Sequence, residues 1–368
     1  ALDKVAGMRC VLGMAETVVT GCADGYARMT GRPAATLMHC GPGLANGLSN
    51  IHNARRAFSP MVNIVGDHAT YHRPYDSPLT YDTEGLARTG SHWVRTSASS
   101  ARVGADGAAA VQAARSGPGQ IATLILPADT AWSDGGEVAP RLPVPARTAV
   151  DPETVRSIAQ ALRSGERAML VLSGPALSEA GLIAAQRVAH VTGAELRCPT
   201  QLPRMARGRG RVPVDRIPYV VDKAIAVLAD IRHVVLVGAK PPTGFFGYPG
   251  KPSLLAPADS VTHVLARPEQ DLVAALNGLA DALGAPGKVE IPQAEAKPQL
   301  LNGPFEPVAF ATTLAALLPE NCIVSEDAVT SGRALLAPTF NAAPHDWVQI
   351  TGGAIGQGFP VATGAALA

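Results

Sequence analysis

Short apolar segments alternate with amphipathic segments along most of the chain, and this alternation constrains the fold more than any other feature. Residues 16–30 carry apolar side chains at helical spacing, and residues 34–38 form a short apolar run. The same two patterns recur through residues 44–65, 106–126, 152–198 and 219–237. They predict, among others, helices over residues 44–57, 106–115 and 176–192 and strands over residues 168–172, 195–198 and 233–237. The pattern predicts an α/β fold of doubly wound parallel sheets, with helices on both faces of each sheet.

Two proline-rich stretches, residues 135–152 and 284–306, divide the chain. Such stretches are typical of linkers between domains. We therefore predict three α/β domains in series, over residues 1–134, 153–283 and 307–368. The first begins without an opening helix and strand, and the last stops in an alanine-rich helix without a capping glycine. We expect both of these domains to be incomplete in this chain.

Composition argues against several classes of function. The formal net charge is +1 and aromatic residues make up 4% of the chain, which does not favour a nucleic-acid or anionic-membrane partner. No apolar run reaches the roughly 18 residues of a membrane-spanning helix, and no signal peptide is visible. Five scattered cysteines, without a C-x-x-C pair, predict neither disulfides nor a zinc site. We expect a cytoplasmic protein.

Glu16 is the first candidate for chemistry. An acid in the first turn of a helix is ordinarily structural, because the helix dipole favours it by roughly 0.3–1 kcal/mol. Glu16, however, follows apolar Val11, Leu12 and Met14. A carboxylate buried among such side chains needs a partner, or its pKa rises. A pyrimidine nitrogen is a suitable partner.

Histidines follow two of the predicted strands. His39 precedes Gly41-Pro42-Gly43 at the carboxyl end of a strand, where α/β sheets bind their ligands. A structural histidine at the strand edge remains an alternative. His68 and His72 follow the next strand at a spacing seen in metal pairs, but no third ligand accompanies them. We predict no metal site there.

Several common fingerprints are missing from the glycine-rich segments. Gly352-Gly353-Ala354-Ile355-Gly356 does not have the G-x-G-x-x-G spacing of dinucleotide-binding folds, so a nicotinamide-dependent oxidoreductase is disfavoured. Neither G-x-x-x-x-G-K-[ST] nor G-x-S-x-G occurs, which argues against a nucleotide-binding loop and a serine hydrolase.

Residues 16–33, ETVVTGCADGYARMTGRP, resemble the pyrimidine-binding domain of thiamine-diphosphate-dependent enzymes, in the acetolactate synthase and benzoylformate decarboxylase group. Residues 41–48 resemble the next loop and helix of that family, and residues 352–368 resemble the opening of its diphosphate-binding domain. The resemblance implies that residues 1–134 form the pyrimidine-binding domain, 153–283 the middle domain and 307–368 the start of the diphosphate-binding domain.

The resemblance also implies roles for individual residues. Glu16 would bind the aminopyrimidine nitrogen, the carbonyl of Gly353 would accept from its exocyclic amine, and Ile355 would hold the cofactor bent. Further cofactor-binding residues would be Gly41, Pro42 and Asn46. His39 is a second catalytic candidate, since benzoylformate-decarboxylase-like enzymes carry histidine there and acetolactate synthases usually carry a small hydroxyl residue.

The implied reaction is decarboxylation or carboligation of a small 2-oxo acid through a C2 carbanion and an enamine. A non-catalytic or regulatory member of the same fold is the alternative. Implied cofactors are thiamine diphosphate and Mg²⁺, with the metal ligands expected beyond residue 368, whereas FAD is not expected. The implied assembly is a homodimer or homotetramer with the site at the subunit interface. The sequence leaves open which 2-oxo acid is used.

Overall fold

The computed structural model describes residues 7–292 and 297–368. The strands are β1 Ala34–His39, β2 Met61–Asp67, β3 Trp93–Thr96, β4 Ile121–Pro127, β5 Ala168–Leu172, β6 Glu195–Cys198, β7 Met205–Arg207, β8 Asp215–Arg216, β9 His233–Val237, β10 Val261–Ala266, β11 Ile323–Glu326 and β12 His345–Gln349. The helices are α1 Glu16–Thr30, α2 Cys40–Arg56, α3 Thr83–Gly90, α4 Ser100–Arg115, α5 Asp129–Trp132, α6 Pro152–Leu162, α7 Glu179–Thr192, α8 Val221–Leu228, α9 Leu272–Ala282, α10 Pro307–Leu317, α11 Leu336–Thr339 and α12 Gly358–Ala366.

The structure divides into two compact units, each with its own core. The first contains the residues up to Val144 together with Gly352–Ala368. Its parallel sheet has the strand order β1-β2-β4-β3. Leu44 and Ile51 of α2 are buried in the core on one face, and Ala110 and Ala114 of α4 are buried on the other. Helices thus cover both faces, as predicted for a doubly wound domain.

The second unit contains Pro145–Thr351 and two sheets. A parallel sheet has the order β10-β9-β5-β6-β8, and a smaller sheet has the order β11-β12-β7. Strands β11 and β12 are parallel, whereas β12 and β7 are antiparallel. Apolar side chains of α6, α7 and α9 cover one face of the larger sheet, and those of α8 cover the other.

These units differ from the predicted domain boundaries, which remain a prediction. The segment 307–368 is divided at Thr351, because β11 and β12 share a sheet with β7 while α12 packs against α1. Three local expectations were wrong. Helix α4 begins at Ser100 rather than at residue 106. Helix α2 begins at Cys40 rather than Leu44, since a proline is tolerated in the first turn of a helix. The predicted helix 176–192 is a 3₁₀ turn, Gly174–Leu177, followed by α7.

Within the described ranges, no helix is both long enough and apolar enough to cross a membrane.

Candidate active site

Glu16 begins helix α1, directly after the extended backbone of Ala15. Its carboxylate lies against α2, where Asn46 Nδ2 donates to Oε2 over 3.3 Å. A Cβ on Gly43 would lie 3.2 Å from Oε1, so the glycine leaves room for the carboxylate beside the helix. In this chain Glu16 is only half-buried, because the preceding Leu12 and Met14 are each 90% exposed. The predicted apolar surroundings are therefore open to solvent in the isolated chain.

Other residues of the segment 16–33 fix the position of helix α1. Arg28 and Asp24 form a buried pair in which Nε donates to Oδ1 over 2.8 Å and Nη2 donates to Oδ2 over 2.5 Å. Gly25 lies against the backbone of Val361 in α12, where a Cβ would overlap the carbonyl group. These contacts hold α1 in place. Because Asp24 is paired with Arg28, Glu16 is the acidic side chain of α1 that stays available to bind a ligand.

His39 ends β1 and stands beside Gly66 of β2 at the carboxyl edge of the sheet. Its side chain is exposed, and its Nε2 lies 3.9 Å from Sγ of Cys40. The chain enters α2 without a loop, and Cys40 takes a left-handed φ of 55°. Burial and the neighbouring Asp67 raise the pKa of the Cys40 thiol, so it stays protonated at neutral pH.

The segment after β2 lies beside this turn. A Cβ on Gly41 would come within 2.5 Å of Tyr81 Cγ, so that tyrosine ring packs on the first turn of α2. His68 Nε2 lies 3.2 Å from Ser77 Oγ, and the ring of His72 lies 5.6 Å from that of His68. No group of three or more His, Cys, Asp or Glu side chains in the described part of the chain is arranged to hold a metal ion.

The glycine loop before α12 is bound by the other end of α2. His52 Nε2 lies 3.1 Å from the carbonyl oxygen of Gly352. Asn53 Oδ1 accepts from the backbone amides of Gly352 and Ala354, and Asn53 Nδ2 donates to the carbonyl of Ala354. Of the predicted cofactor ligands, Gly353 has a left-handed φ of 77° and Ile355 is 72% exposed.

The structure therefore brings some predicted residues together and separates others. Glu16, Asn46 and Gly43 are neighbours, and Gly41 and Pro42 lie in the same first turn of α2. Gly41 is buried, whereas Pro42 is exposed. Six residues of α2, about 9 Å of helix rise, separate Asn46 from His52. Within one protomer, the carboxylate and the glycine loop thus contact different turns of α2.

Sequence reasoning missed His52, Asn53 and Tyr81. One signal was available, because Asn46, Asn50 and Asn53 recur at helical spacing in a segment that was interpreted only through its apolar face. Asn50 and Asn53 are both buried, and buried amides are expected to have partners. Nothing in the sequence pattern places the loop partners of Asn53 some 300 residues further along the chain.

Comparison with known proteins now identifies the family. Residues 1–89 match the family described as thiamine pyrophosphate enzyme, N-terminal TPP binding domain. Over all 368 residues the chain is 50% identical to a Mycobacterium tuberculosis protein provisionally named acetolactate synthase large subunit IlvX, and it spans 70% of that protein. The chain belongs to the thiamine-diphosphate-dependent enzymes. This confirms the resemblance to the acetolactate synthase and benzoylformate decarboxylase group.

Two more distant matches to this chain are a benzoylformate decarboxylase and a 4-hydroxybenzoylformate decarboxylase. The benzoylformate decarboxylase of Pseudomonas aeruginosa is 26% identical over all of this chain and 72% of its own length. The Rhodococcus jostii RHA1 4-hydroxybenzoylformate decarboxylase superposes with a TM-score of 0.82 over 99% of this chain and 72% of that one, at 18% identity. At that identity, the superposition supports the α/β fold.

The described residues fit the aminopyrimidine half of the cofactor. Glu16 offers a carboxylate that already has one hydrogen-bond donor in Asn46 and still faces solvent. Gly353 offers an exposed backbone, and Ile355 offers an exposed apolar side chain. A ring that carries both a basic nitrogen and an amino group needs an acid, a carbonyl and an apolar support, which these residues supply.

Proposed function

We propose that this chain catalyses thiamine-diphosphate-dependent decarboxylation or carboligation of small 2-oxo acids. The observation that carries the proposal is the position of Glu16, whose carboxylate lies at the start of α1 against Gly43 and Asn46. A member of the family that only bound partners would have no use for a carboxylate kept open at this place. When bound, the cofactor supplies a nucleophilic carbon and an electron sink for the 2-oxo acid.

Glu16 would hold a proton between its carboxyl group and the ring nitrogen of the aminopyrimidine. Asn46 Nδ2 would keep the carboxyl group oriented, since it already donates to Oε2. The carbonyl of Gly353 would accept from the exocyclic amine, and Ile355 would support the cofactor from its apolar side. The contribution of these residues is orientation and control of protons.

His39 would transfer protons to and from the bound substrate. Its imidazole is exposed at the carboxyl edge of the sheet, and an imidazole can both donate and accept a proton. A proton donor at this position favours release of an aldehyde after decarboxylation. We therefore favour decarboxylase chemistry over synthesis of acetolactate for this chain.

We further propose a homodimer, or a homotetramer built from two dimers, with each site shared between subunits. Exposed apolar side chains on the first unit support this, namely Leu12, Met14, Ile355 and Phe359. Mg²⁺ is proposed to accompany the diphosphate.

The test is titration of the full-length protein with thiamine diphosphate and Mg²⁺, followed by pyruvate or benzoylformate while carbon dioxide is measured. The proposal predicts saturable cofactor binding and carbon dioxide release with at least one 2-oxo acid. Binding without release from any member of a 2-oxo acid panel would favour the non-catalytic alternative. Absence of binding would refute the proposal.

A further inference from the structure

The last turn of α2 holds the backbone of the glycine loop in one conformation. We propose that His52 and Asn53 are positioning residues, which fix residues Gly352–Ile355 so that the carbonyl of Gly353 is presented to the cofactor. This inference rests on the proposed function, because it concerns the loop that would contact the aminopyrimidine. It assigns a role to two residues that neither touch the reacting atoms nor belong to the motifs of the sequence.

Asn53 makes a complete set of hydrogen bonds. Its Oδ1 accepts from Gly352 N over 3.1 Å and from Ala354 N over 3.2 Å. Its Nδ2 donates to Ala354 O over 2.8 Å and to Asn50 Oδ1 over 3.1 Å. An asparagine amide has two hydrogens and two lone pairs, so all four are used. The side chain is 0% exposed, which means that water cannot replace these bonds.

The pattern of these bonds selects one carbonyl of the loop. Asn53 and His52 together bind the amide and the carbonyl of Gly352 and the amide and the carbonyl of Ala354. Among the described residues, the backbone of Gly353 between them makes no hydrogen bond, and this residue is exposed. Its left-handed φ of 77° is accessible to glycine. His52 and Asn53 thus form a clamp on the loop, and this clamp leaves the Gly353 carbonyl free for a ligand.

Gly352 allows the clamp to close. A Cβ on this residue would come within 2.5 Å of His52 Cδ2 and 2.7 Å of Asn53 Oδ1. The close approach is possible because glycine has no side chain, and it brings the loop backbone into hydrogen-bonding distance of α2. The same helix carries Asn46 beside Glu16, so one rigid element positions the residues that a protomer would contribute to both of its shared sites.

The experiment compares four variants of the full-length protein. Asn53→Ser removes the buried amide, His52→Ala removes the exposed imidazole, and His52→Gln replaces the Nε2–H donor. Arg56→Ala, an exposed change at the end of the same helix, is the control. Two quantities are measured, namely the Kd for thiamine diphosphate with Mg²⁺ and the amide hydrogen exchange of residues 350–357 in the cofactor-free protein.

We expect Asn53→Ser to raise the Kd at least tenfold, or about 1.4 kcal/mol, and to accelerate exchange in the loop by a similar factor. His52→Ala should raise the Kd about two- to fivefold and loosen the same peptide, since one hydrogen bond is lost. His52→Gln should return both quantities to within twofold of the wild type, as should the Arg56→Ala control.

Three results would overturn the inference. If Asn53→Ser or His52→Ala binds the cofactor like the wild type and the loop exchanges at the wild-type rate, the clamp does not position the loop. If exchange accelerates but the Kd is unchanged, the clamp is structural only. If the wild-type protein itself binds no thiamine diphosphate, the proposed function fails and this inference fails with it. The wild-type Kd thus separates the two failures, and His52→Ala tests the clamp even if Asn53→Ser does not fold.

Discussion

Helices α1 and α12 approach so closely that a single methyl group at their contact should separate them. A Cβ on Gly364 would lie 2.6 Å from the carbonyl carbon of Cys22 and 2.8 Å from its Cα, and it would overlap the carbonyl oxygen. Real Cβ atoms essentially never come within 3.0 Å of such atoms. Because the obstacle is backbone, it cannot rotate aside, and the helices must move apart.

The expected size of the effect combines two opposing terms. Replacing an interior helical glycine by alanine ordinarily stabilises a helix by about 0.5–1 kcal/mol. Overpacking of a close contact costs about 1–3 kcal/mol, and a backbone obstacle places Gly364→Ala near the upper end. We therefore expect Gly364→Ala to lower the free energy of unfolding by about 2 kcal/mol.

The matched control is Gly107→Ala in α4 of the same compact unit. Apart from its chain neighbours and the backbone of its own helix, no atom lies within 4 Å of a Cβ at Gly107, so only the gain in helix propensity remains. That variant should be stabilised by about 0.5–1 kcal/mol. Urea unfolding of both variants, with equal slopes, gives the comparison. If Gly364→Ala were as stable as Gly107→Ala, the close packing of α12 on α1 would be refuted.

Three further changes probe the site and the second unit. His39→Ala should leave the Kd for thiamine diphosphate unchanged and slow turnover about 100-fold; an unchanged kcat would make His39 structural. Gly43→Ala should displace the Glu16 carboxylate, because a Cβ would lie 3.2 Å from Oε1, so kcat should fall while unfolding shows no loss of stability. Burial lowers the pKa of His345, whose Nδ1 lies 2.7 Å from the carbonyl of Ala343. Stability should therefore fall as pH drops below about 6.5, and less so in His345→Asn; equal pH slopes of unfolding free energy in the two proteins would contradict this.

Periodicity predicted the elements whose pattern is local. The bounds of α1, β5, β6 and β9 were predicted as the structure has them. Helix α3 and strand β3 were missed because they are short, at eight and four residues. The antiparallel pairing of β12 with β7 could not be predicted, since it joins segments more than 130 residues apart and no turn specifies it.

The candidate site shows the same division between local and distant information. The sequence places Glu16 at a helix start and His39 at a strand end, and the structure agrees on both. Asn46 lies beside Glu16 because α1 packs on α2. The contacts of His52 and Asn53 with Gly352 and Ala354 depend on the packing of two distant segments, which no spacing within either segment reveals.

The most direct test of the account is exchange of the C2 proton of thiamine diphosphate bound to the full-length protein, measured by quenched-flow NMR with Mg²⁺ present. The wild-type protein should accelerate exchange at least 100-fold over the free cofactor, a factor of the size expected for a positioned acid or base. Glu16→Gln should bind the cofactor and lose most of that acceleration. Equal exchange rates in the two proteins would contradict the central role of Glu16.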